Sequence, residues 1–570
     1  MAVSVSVADG IATVTIDNPP VNAASHAVRE GLVEAVKSTE ADATIRAVVL
    51  ACSGRTFVAG ADVKEFGLPP KEPILPDVVL ALEAATKPWV AAIHGSALGG
   101  GLEIALGCSH RIAAADAKLG LPEVTLGLIP GAGGTVRLPR LIAAEPALDM
   151  IAGGRPVSSS NAAELGLVDR ISTDGLTASA QAFAKGLADA PRPPPLLSRD
   201  PKAPKDAQAW EAQKAAVAKK ARGQNAPIAA TEAVQAALDL SGRDALARER
   251  EVFLQLKADP QSSALRHIFF AERAASKIDA VGDATPGPID KIGVIGGGTM
   301  GAGIAAACLL ARLHVTLIER DGESLSAGQE RIENTLAGSL KRGLISPENH
   351  QAFLSALTCS TDEAALADAN LIIEAVFEDL GVKKEVFQRL EAASRPDAVL
   401  ATNTSYLDVA DIAGSVTDPS RVIGLHFFSP AHIMKLLELV IPDAASPKTV
   451  ATGAALGKRL RKIVVPAGVC DGFIGNRIMS RYRRECDYML VDGALPHQID
   501  GAMRGFGFPM GIYEMQDLAG LDISWAMRKR KAATRDPAER YVTVADQLCE
   551  AGRFGRKTGK GWYLYADGKT

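Results

Sequence analysis

Residues 291–305 read KIGVIGGGTMGAGIA, and this stretch decides the architecture of the second half of the chain. An apolar, β-branched run leads into Gly296, Gly298 and Gly301, which stand in G-x-G-x-x-G spacing before a run suited to a helix. The first glycine permits a tight turn, the second lets backbone amides approach a pyrophosphate, and the third lets helix pack on strand. A second strand, HVTLIER, ends in Glu319, 18 residues past Gly301. A carboxylate there accepts hydrogen bonds from a ribose and repels a 2′-phosphate, so the pattern predicts a dinucleotide-binding, doubly wound α/β sheet that takes NAD.

Working outward, the segment 292–311 carries no charge and is long enough to cross a bilayer, but five of its glycines fall between Gly296 and Gly303. Glycine weakens helix interiors, so strand, turn and helix start fit better than a membrane span. Upstream, ATPGPID punctuates the start of this domain, and residues 207–280 are rich in Ala, Lys, Glu and Gln at helical spacing. Before them, APRPPPLLSRDPKAPKD (190–206) reads as a Pro-rich linker. The first 190 residues begin with a strand pair, VSVSVADG and IATVTIDNP, joined by a D-G turn. A helix, the buried strand IRAVVLACSG and the strand WVAAIHG follow, as in an α/β domain. Beyond 470 helix-forming runs dominate. The expected division is 1–190, 191–286, 287–469 and 470–570, without short internal repeats.

Length and composition agree: 570 residues exceed what one core supports, and 47% hydrophobic with 22% charged residues describes a globular protein. A net charge of −4 gives no reason to expect nucleic acid. The seven cysteines are scattered without a C-x-x-C pair, so free thiols are expected rather than disulfides or structural zinc. MAVSVSVADG lacks the basic and apolar regions of a secretory signal, and the final GKT is not a peroxisomal address, which makes cytoplasm the default. RKRK (528–531) reads as a solvated helix face, GRKTGKG lacks P-loop spacing, and no H-E-x-x-H or similar cluster predicts a metal.

At GLHFFSPAHIMKLLELV the chain closely resembles the 3-hydroxyacyl-CoA dehydrogenase family, with His426 followed 12 residues later by Glu438. Oxidising a secondary alcohol needs a base for the hydroxyl proton while hydride departs, and imidazole titrates in the right range. A partner carboxylate fixes its tautomer and stabilises the imidazolium. The resemblance further implies that Asn403 and Ser405 in TNTS, and Asn476 in GFIGNR, bind substrate or polarise its oxygen. It also places Glu378 in AVFEDL near the cofactor.

The N-terminal third resembles the crotonase superfamily through FVAGADVKEF, HGSALGGGLEIAL and LPEVTLGLIPGAGGTVRLPR. Stabilising a thioester enolate favours two backbone N–H donors aimed at one oxygen. The resemblance places these at Ala61 and Gly100, puts Lys64 near the coenzyme A phosphates, and matches both acids of the family with Glu103 and Glu123. Two carboxylates can divide the work of hydration: Glu103 would activate water and Glu123 would exchange the proton at the α-carbon. Glu123 alone could also isomerise a double bond.

Together the resemblances imply a multifunctional β-oxidation enzyme: a crotonase spiral of ββα units, a helical linker, a Rossmann-type sheet and an all-α domain. Trans-2-enoyl-CoA would become L-3-hydroxyacyl-CoA and then, with NAD, 3-ketoacyl-CoA. Full-length relatives continue with a second helical domain, so the remaining one is expected to self-associate through 470–570. Two rivals are an α subunit of a thiolase-containing complex, disfavoured by the early start of the Rossmann strand, and an acyl-CoA-binding scaffold with a dead site. The three acids and one base, Glu103, Glu123, Glu438 and His426, all present, speak against the scaffold.

Overall fold

Alternating polar and apolar residues in VSVSVA and IATVTI form the antiparallel pair β1 (Val3–Ala8) and β2 (Ile11–Ile16) in the computed structural model, which describes residues 2–62, 65 and 67–566. Asp9 and Gly10, both at positive φ, make the turn. The strands that follow are β3 (Ala47–Cys52), β4 (Trp89–Ile93), β5 (Ser96–Leu98), β6 (His110–Ala114), β7 (Lys118–Gly120), β8 (Val157–Ser158) and β9 (Arg170–Ser172). The main sheet runs β1-β2-β3-β4-β6-β9, parallel after the first pair, and β5, β7 and β8 form a second, small sheet. AVVLAC and WVAAI are apolar throughout because parallel strands are covered on both faces. The helix Leu176–Leu187 covers one face with Ala180 and Ala184, while the larger core fills the other.

The chain divides into two compact units, Met1–Phe270 and Ala271–Thr570. Three helices of the Ala- and charge-rich segment, Ala207–Ala221, Asn225–Asp239 and Gly242–Ala258, belong to the first. Trp210, Ala230, Ala233, Val234, Val252 and Leu256 share the core of the sheet domain. Their small residues let Asn225–Asp239 lie against the helices Gly134–Leu141 and Ala144–Gly153.

In the second unit, β10 (Lys291–Ile295), β11 (His314–Ile318), β12 (Leu357–Ser360), β13 (Leu371–Glu374), β14 (Val399–Thr402), β15 (Val422–Phe427), β16 (Leu436–Val440) and β17 (Ile463–Ala467) form one sheet in the order β12-β11-β10-β13-β14-β15-β16-β17. The order reverses at β10, and the C-terminal ends of β10 and β13 flank the crevice where open α/β sheets bind ligands. The sheet is parallel up to β15, which pairs antiparallel with β16. The residues beyond Asp471 are helical, from Gly475–Val491 to Val544–Glu550, around a small core of Cys486, Ile499, Ile512 and Tyr513. Two buried carboxylates tie that core together: Asp500 accepts from the Tyr513 and Glu514 amides and the Tyr563 hydroxyl, and Asp517 from the Trp562 and Tyr563 amides. No described helix is long and apolar enough to cross a membrane.

Two candidate active sites

The first site forms where β5 runs through Gly99 into the short helix Gly100–Gly107. A β-carbon on Gly100 would lie 3.2 Å from the Ala61 amide nitrogen and 2.6 Å from a Leu75 methyl, so only glycine lets these backbone segments meet. Ala61 is held by a bridge to Ala24. Glu123 opens the 3-10 turn Glu123–Leu126, and its Oε1 would stand 2.9 Å from a β-carbon on Gly99. Its Oε2 is buried without a hydrogen-bond partner among the described residues. An orphaned carboxylate oxygen beside two clustered amides marks the place for a polar ligand atom.

Glu103, one turn into the same helix and 2% exposed, accepts from the Ala132 amide at 2.7 Å and the Gly134 amide at 2.9 Å. Burial raises the pKa of both acids. For Glu103 the two amides and Arg137 oppose that rise; for Glu123 the charge of Glu103 adds to it and carries it well above the ordinary value. Two neighbouring carboxyls in unlike environments can thus serve as base and acid at one pH. Lys64 lies outside the described residues.

The second site gathers at the ends of β10, β11, β14, β15 and β16. Gly296 turns at φ 93°, and a β-carbon on Gly301 would meet the Gly296 carbonyl oxygen at 1.7 Å, so the helix Thr299–Leu310 rests directly on the turn. A β-carbon on Gly298 would meet nothing within 4 Å, which leaves room for a phosphate at the helix N-terminus. Glu319 lies beside this turn, its Oε1 accepting from the Gly297 amide at 2.6 Å. The residues therefore fit a dinucleotide.

His426 and Glu438 are direct cross-strand partners in the antiparallel β15–β16 pair, 4% and 1% exposed, with Nδ1 and Oε2 2.7 Å apart. The other oxygen of Glu438 accepts from the Ile474 and Gly475 amides at the start of the helix Gly475–Val491. Burial alone would raise Glu438, but His426 and these amides hold it below the ordinary carboxylate value. With Nδ1 committed to Glu438, Nε2 is the ring nitrogen left to exchange a proton. Asn403, at the end of β14, accepts from the Phe427 amide at 2.8 Å and so sits against the residue after His426. Asn476, on the Gly475–Val491 helix, is buried. Glu378 accepts from the Thr404 hydroxyl and the Ser405 and Tyr406 amides, which makes it a clamp on the loop carrying Asn403 and Ser405.

Two groups escaped sequence reading. Lys383 is buried between Glu374 at 2.6 Å and Glu378 at 3.4 Å, with Glu374 also accepting from Thr402. Glu249, on the Gly242–Ala258 helix, is buried beside Glu103. In both cases the charged residue falls on an apolar stripe, Lys383 with Val386, Phe387 and Leu390 and Glu249 with Ala245, Val252 and Leu256, and that spacing was the available signal.

The fold and the two sites define a CoA-thioester enzyme that couples a crotonase domain to an NAD-dependent dehydrogenase. Comparison with known proteins agrees: residues 6–229 match the family enoyl-CoA hydratase/isomerase, 291–470 the NAD binding domain of 3-hydroxyacyl-CoA dehydrogenase, and 472–565 its C-terminal domain. The chain is 42% identical over 573 residues to the peroxisomal bifunctional enzyme of Danio rerio, covering 97% of this chain and 79% of that protein. The Homo sapiens bifunctional enzyme is 40% identical over 98% of this chain and 79% of its own length. The peroxisomal fatty acid beta-oxidation multifunctional protein of Oryza sativa is 37% identical, with the same coverage. The chain belongs to this family of fused enoyl-CoA hydratases and 3-hydroxyacyl-CoA dehydrogenases, and it is an NAD-dependent bifunctional enzyme of fatty acid β-oxidation.

Proposed function

We propose that the two reactions are carried by the residues gathered above. In hydration, the Ala61 and Gly100 amides donate to the thioester oxygen as enolate charge develops, Glu103 takes a proton from water as its oxygen bonds to C3, and Glu123 delivers a proton to C2. Lys64 contributes charge for the coenzyme A phosphates. The observation that carries this half is the orphaned Glu123 oxygen beside the Gly99–Gly100 backbone. With a raised pKa, Glu123 keeps a proton to give near neutrality.

In oxidation, Nε2 of His426 takes the hydroxyl proton and Glu438 stabilises the imidazolium that results. Ser405, Asn403 and Asn476 hold the substrate oxygen, and Gly296, Gly298, Gly301, Glu319 and Glu378 make the cofactor side of the site. Bound there, NAD supplies the acceptor for the hydride leaving C3. The variants Glu123→Gln and His426→Gln test the assignment. The first is expected to abolish hydration and keep NADH formation from hydroxyacyl-CoA, and the second to do the reverse. Intact hydration in the first, or intact oxidation in the second, would displace the residue concerned.

Glu123 also equips the first site to shift a 3-enoyl double bond to the 2-position, tested by conversion of 3-enoyl-CoA in Glu103→Gln. We assign the hydratase to 1–190, its helical connector to 191–286, the dinucleotide domain to 287–469 and the helical domain to 470–570. Exposed Ile478, Leu495, Phe506 and Leu518 support a homodimer through that last part. Seven free cysteines suit a reducing compartment, of which the cytoplasm is the proposed one, and a tagged protein found in peroxisomes would overturn it. Co-purification of a thiolase would favour the α-subunit reading instead.

A further inference from the structure

Four consecutive amides, Ala132 to Thr135, point alternately at two buried acids. Ala132 and Gly134 donate to Glu103 Oε1, as described. Gly133 donates to Glu249 Oε1 at 2.6 Å, and Thr135 to Glu249 Oε2 at 2.9 Å through its amide and 2.5 Å through its hydroxyl. Glu249 comes from the helix Gly242–Ala258, more than a hundred residues further along the chain. It is 2% exposed. Burying an acid is costly unless its oxygens are hydrogen-bonded, and Glu249 spends both of its oxygens on this one turn.

The rest of the helix face follows the same contour. A β-carbon on Gly133, which sits at φ 99°, would lie 3.0 Å from Leu246, and one on Gly131 would lie 2.6 Å from the Phe253 ring. Leu246, Glu249 and Phe253, at i, i+3 and i+7, thus form a single stripe against residues 131–135. From the other side, Arg137 donates to the Ala132 carbonyl through Nη1 and pairs with Glu83 through Nη2 at 2.8 Å. The turn is therefore clamped on both sides, with its amides interleaved between the acid assigned to water and an acid that has no route to substrate of its own.

We infer that Glu249 is a positioning residue of the hydratase: from the connector helix it sets the 132–135 turn, and through the Ala132 and Gly134 amides it fixes the orientation and ionisation of Glu103. The connector is then a working part of the first active site. Two amides from a rigid turn stabilise the carboxylate form of Glu103 that accepts a proton from water; a turn free to tilt supplies them poorly. The inference rests on the role proposed for Glu103, and the experiment separates the two.

Full-length Glu249→Gln, Glu249→Asp and Glu103→Gln are compared with wild type for hydration kcat and KM, thermal unfolding and NADH formation. In Glu249→Gln one oxygen becomes an NH2 facing an N–H donor, so one side of the clamp opens. Hydration kcat is expected to fall on the order of 10- to 100-fold with KM within about threefold, because misplacement of a catalytic group by a fraction of an ångström acts on the chemical step. Its pH–rate profile shifts on the limb belonging to Glu103. Glu249→Asp, which keeps both acceptors on a shorter stem, recovers part of the rate, and NADH formation stays at the wild-type level in both. A Glu249→Gln enzyme with wild-type kcat and profile would overturn the inference while a dead Glu103→Gln left the hydratase reading standing. Equal loss of kcat, KM and unfolding temperature, without recovery in Glu249→Asp, would reduce Glu249 to a structural role and overturn it as well. Full hydration by Glu103→Gln would remove the reading beneath it.

Discussion

Glu438 divides its two oxygens between His426 and the first amides of the Gly475–Val491 helix. One side chain therefore sets both the tautomer of His426, the proposed base, and the attachment of the helix that carries Asn476. Glu438→Gln can satisfy only one of these partners with an acceptor, so the oxidation rate is expected to drop by at least about 100-fold, the usual worth of a working general base. Steady-state NADH formation from 3-hydroxyacyl-CoA measures it, and a loss below about tenfold would mean that the carboxylate does less than its geometry suggests. The pair itself was legible in the sequence, because a His and a Glu in a known motif announce one another. Their exact partners were not, since amides from a segment 36 residues on leave no trace in the motif.

At the scale of elements, the sequence showed β1 to β4 of the first unit and β10 and β11 of the second, but not the later strands or the reversal between β15 and β16. Both strands are apolar runs, and periodicity carries no information about direction. That reversal is what brings His426 opposite Glu438. The connector helices were legible as helices, yet not as part of the first core, because RERE at 248–251 reads as a solvated face until Glu249 is seen on the apolar stripe.

The buried acids give the two units opposite responses to pH. Burial first, and then the charge of Glu103, carries Glu249 from 4.5 to about 8. A raised pKa means that the folded state holds the proton more tightly, so this contribution is full below pH 4.5 and is lost as pH rises through about 8. Glu438 is depressed, so its contribution is present above the ordinary carboxylate value and lost only as pH falls below it. Hydrogen exchange between pH 6 and 9 is therefore expected to show the 131–135 turn and the Gly242–Ala258 helix losing protection relative to β15 and β16, after correction for intrinsic rates. Uniform protection across that range would contradict it. At another element, Gly301→Ala drives a β-carbon into the Gly296 carbonyl, and NAD binding measured by titration should be lost while hydration continues.

Across the whole molecule, the helical residues beyond 470 expose Ile478 at 64% and Phe506 at 85%. An apolar surface of this kind calls for a cover, and a second copy is the proposed one. Sedimentation over micromolar concentrations should show a dimer that Phe506→Asp weakens, whereas one monomeric mass throughout would refute it. The division of labour between the two halves was clear from sequence motifs, but the reach of the connector into the hydratase site was not. The central claim is that one chain runs two reactions in order. Its most direct test supplies trans-2-enoyl-CoA to the purified chain and follows enoyl absorbance and NADH together. Without NAD, the enoyl band should fall to the hydration equilibrium and stop; on adding NAD, NADH should appear while the band falls further. NADH formation only from added 3-hydroxyacyl-CoA, with the enoyl band unchanged, would contradict the account.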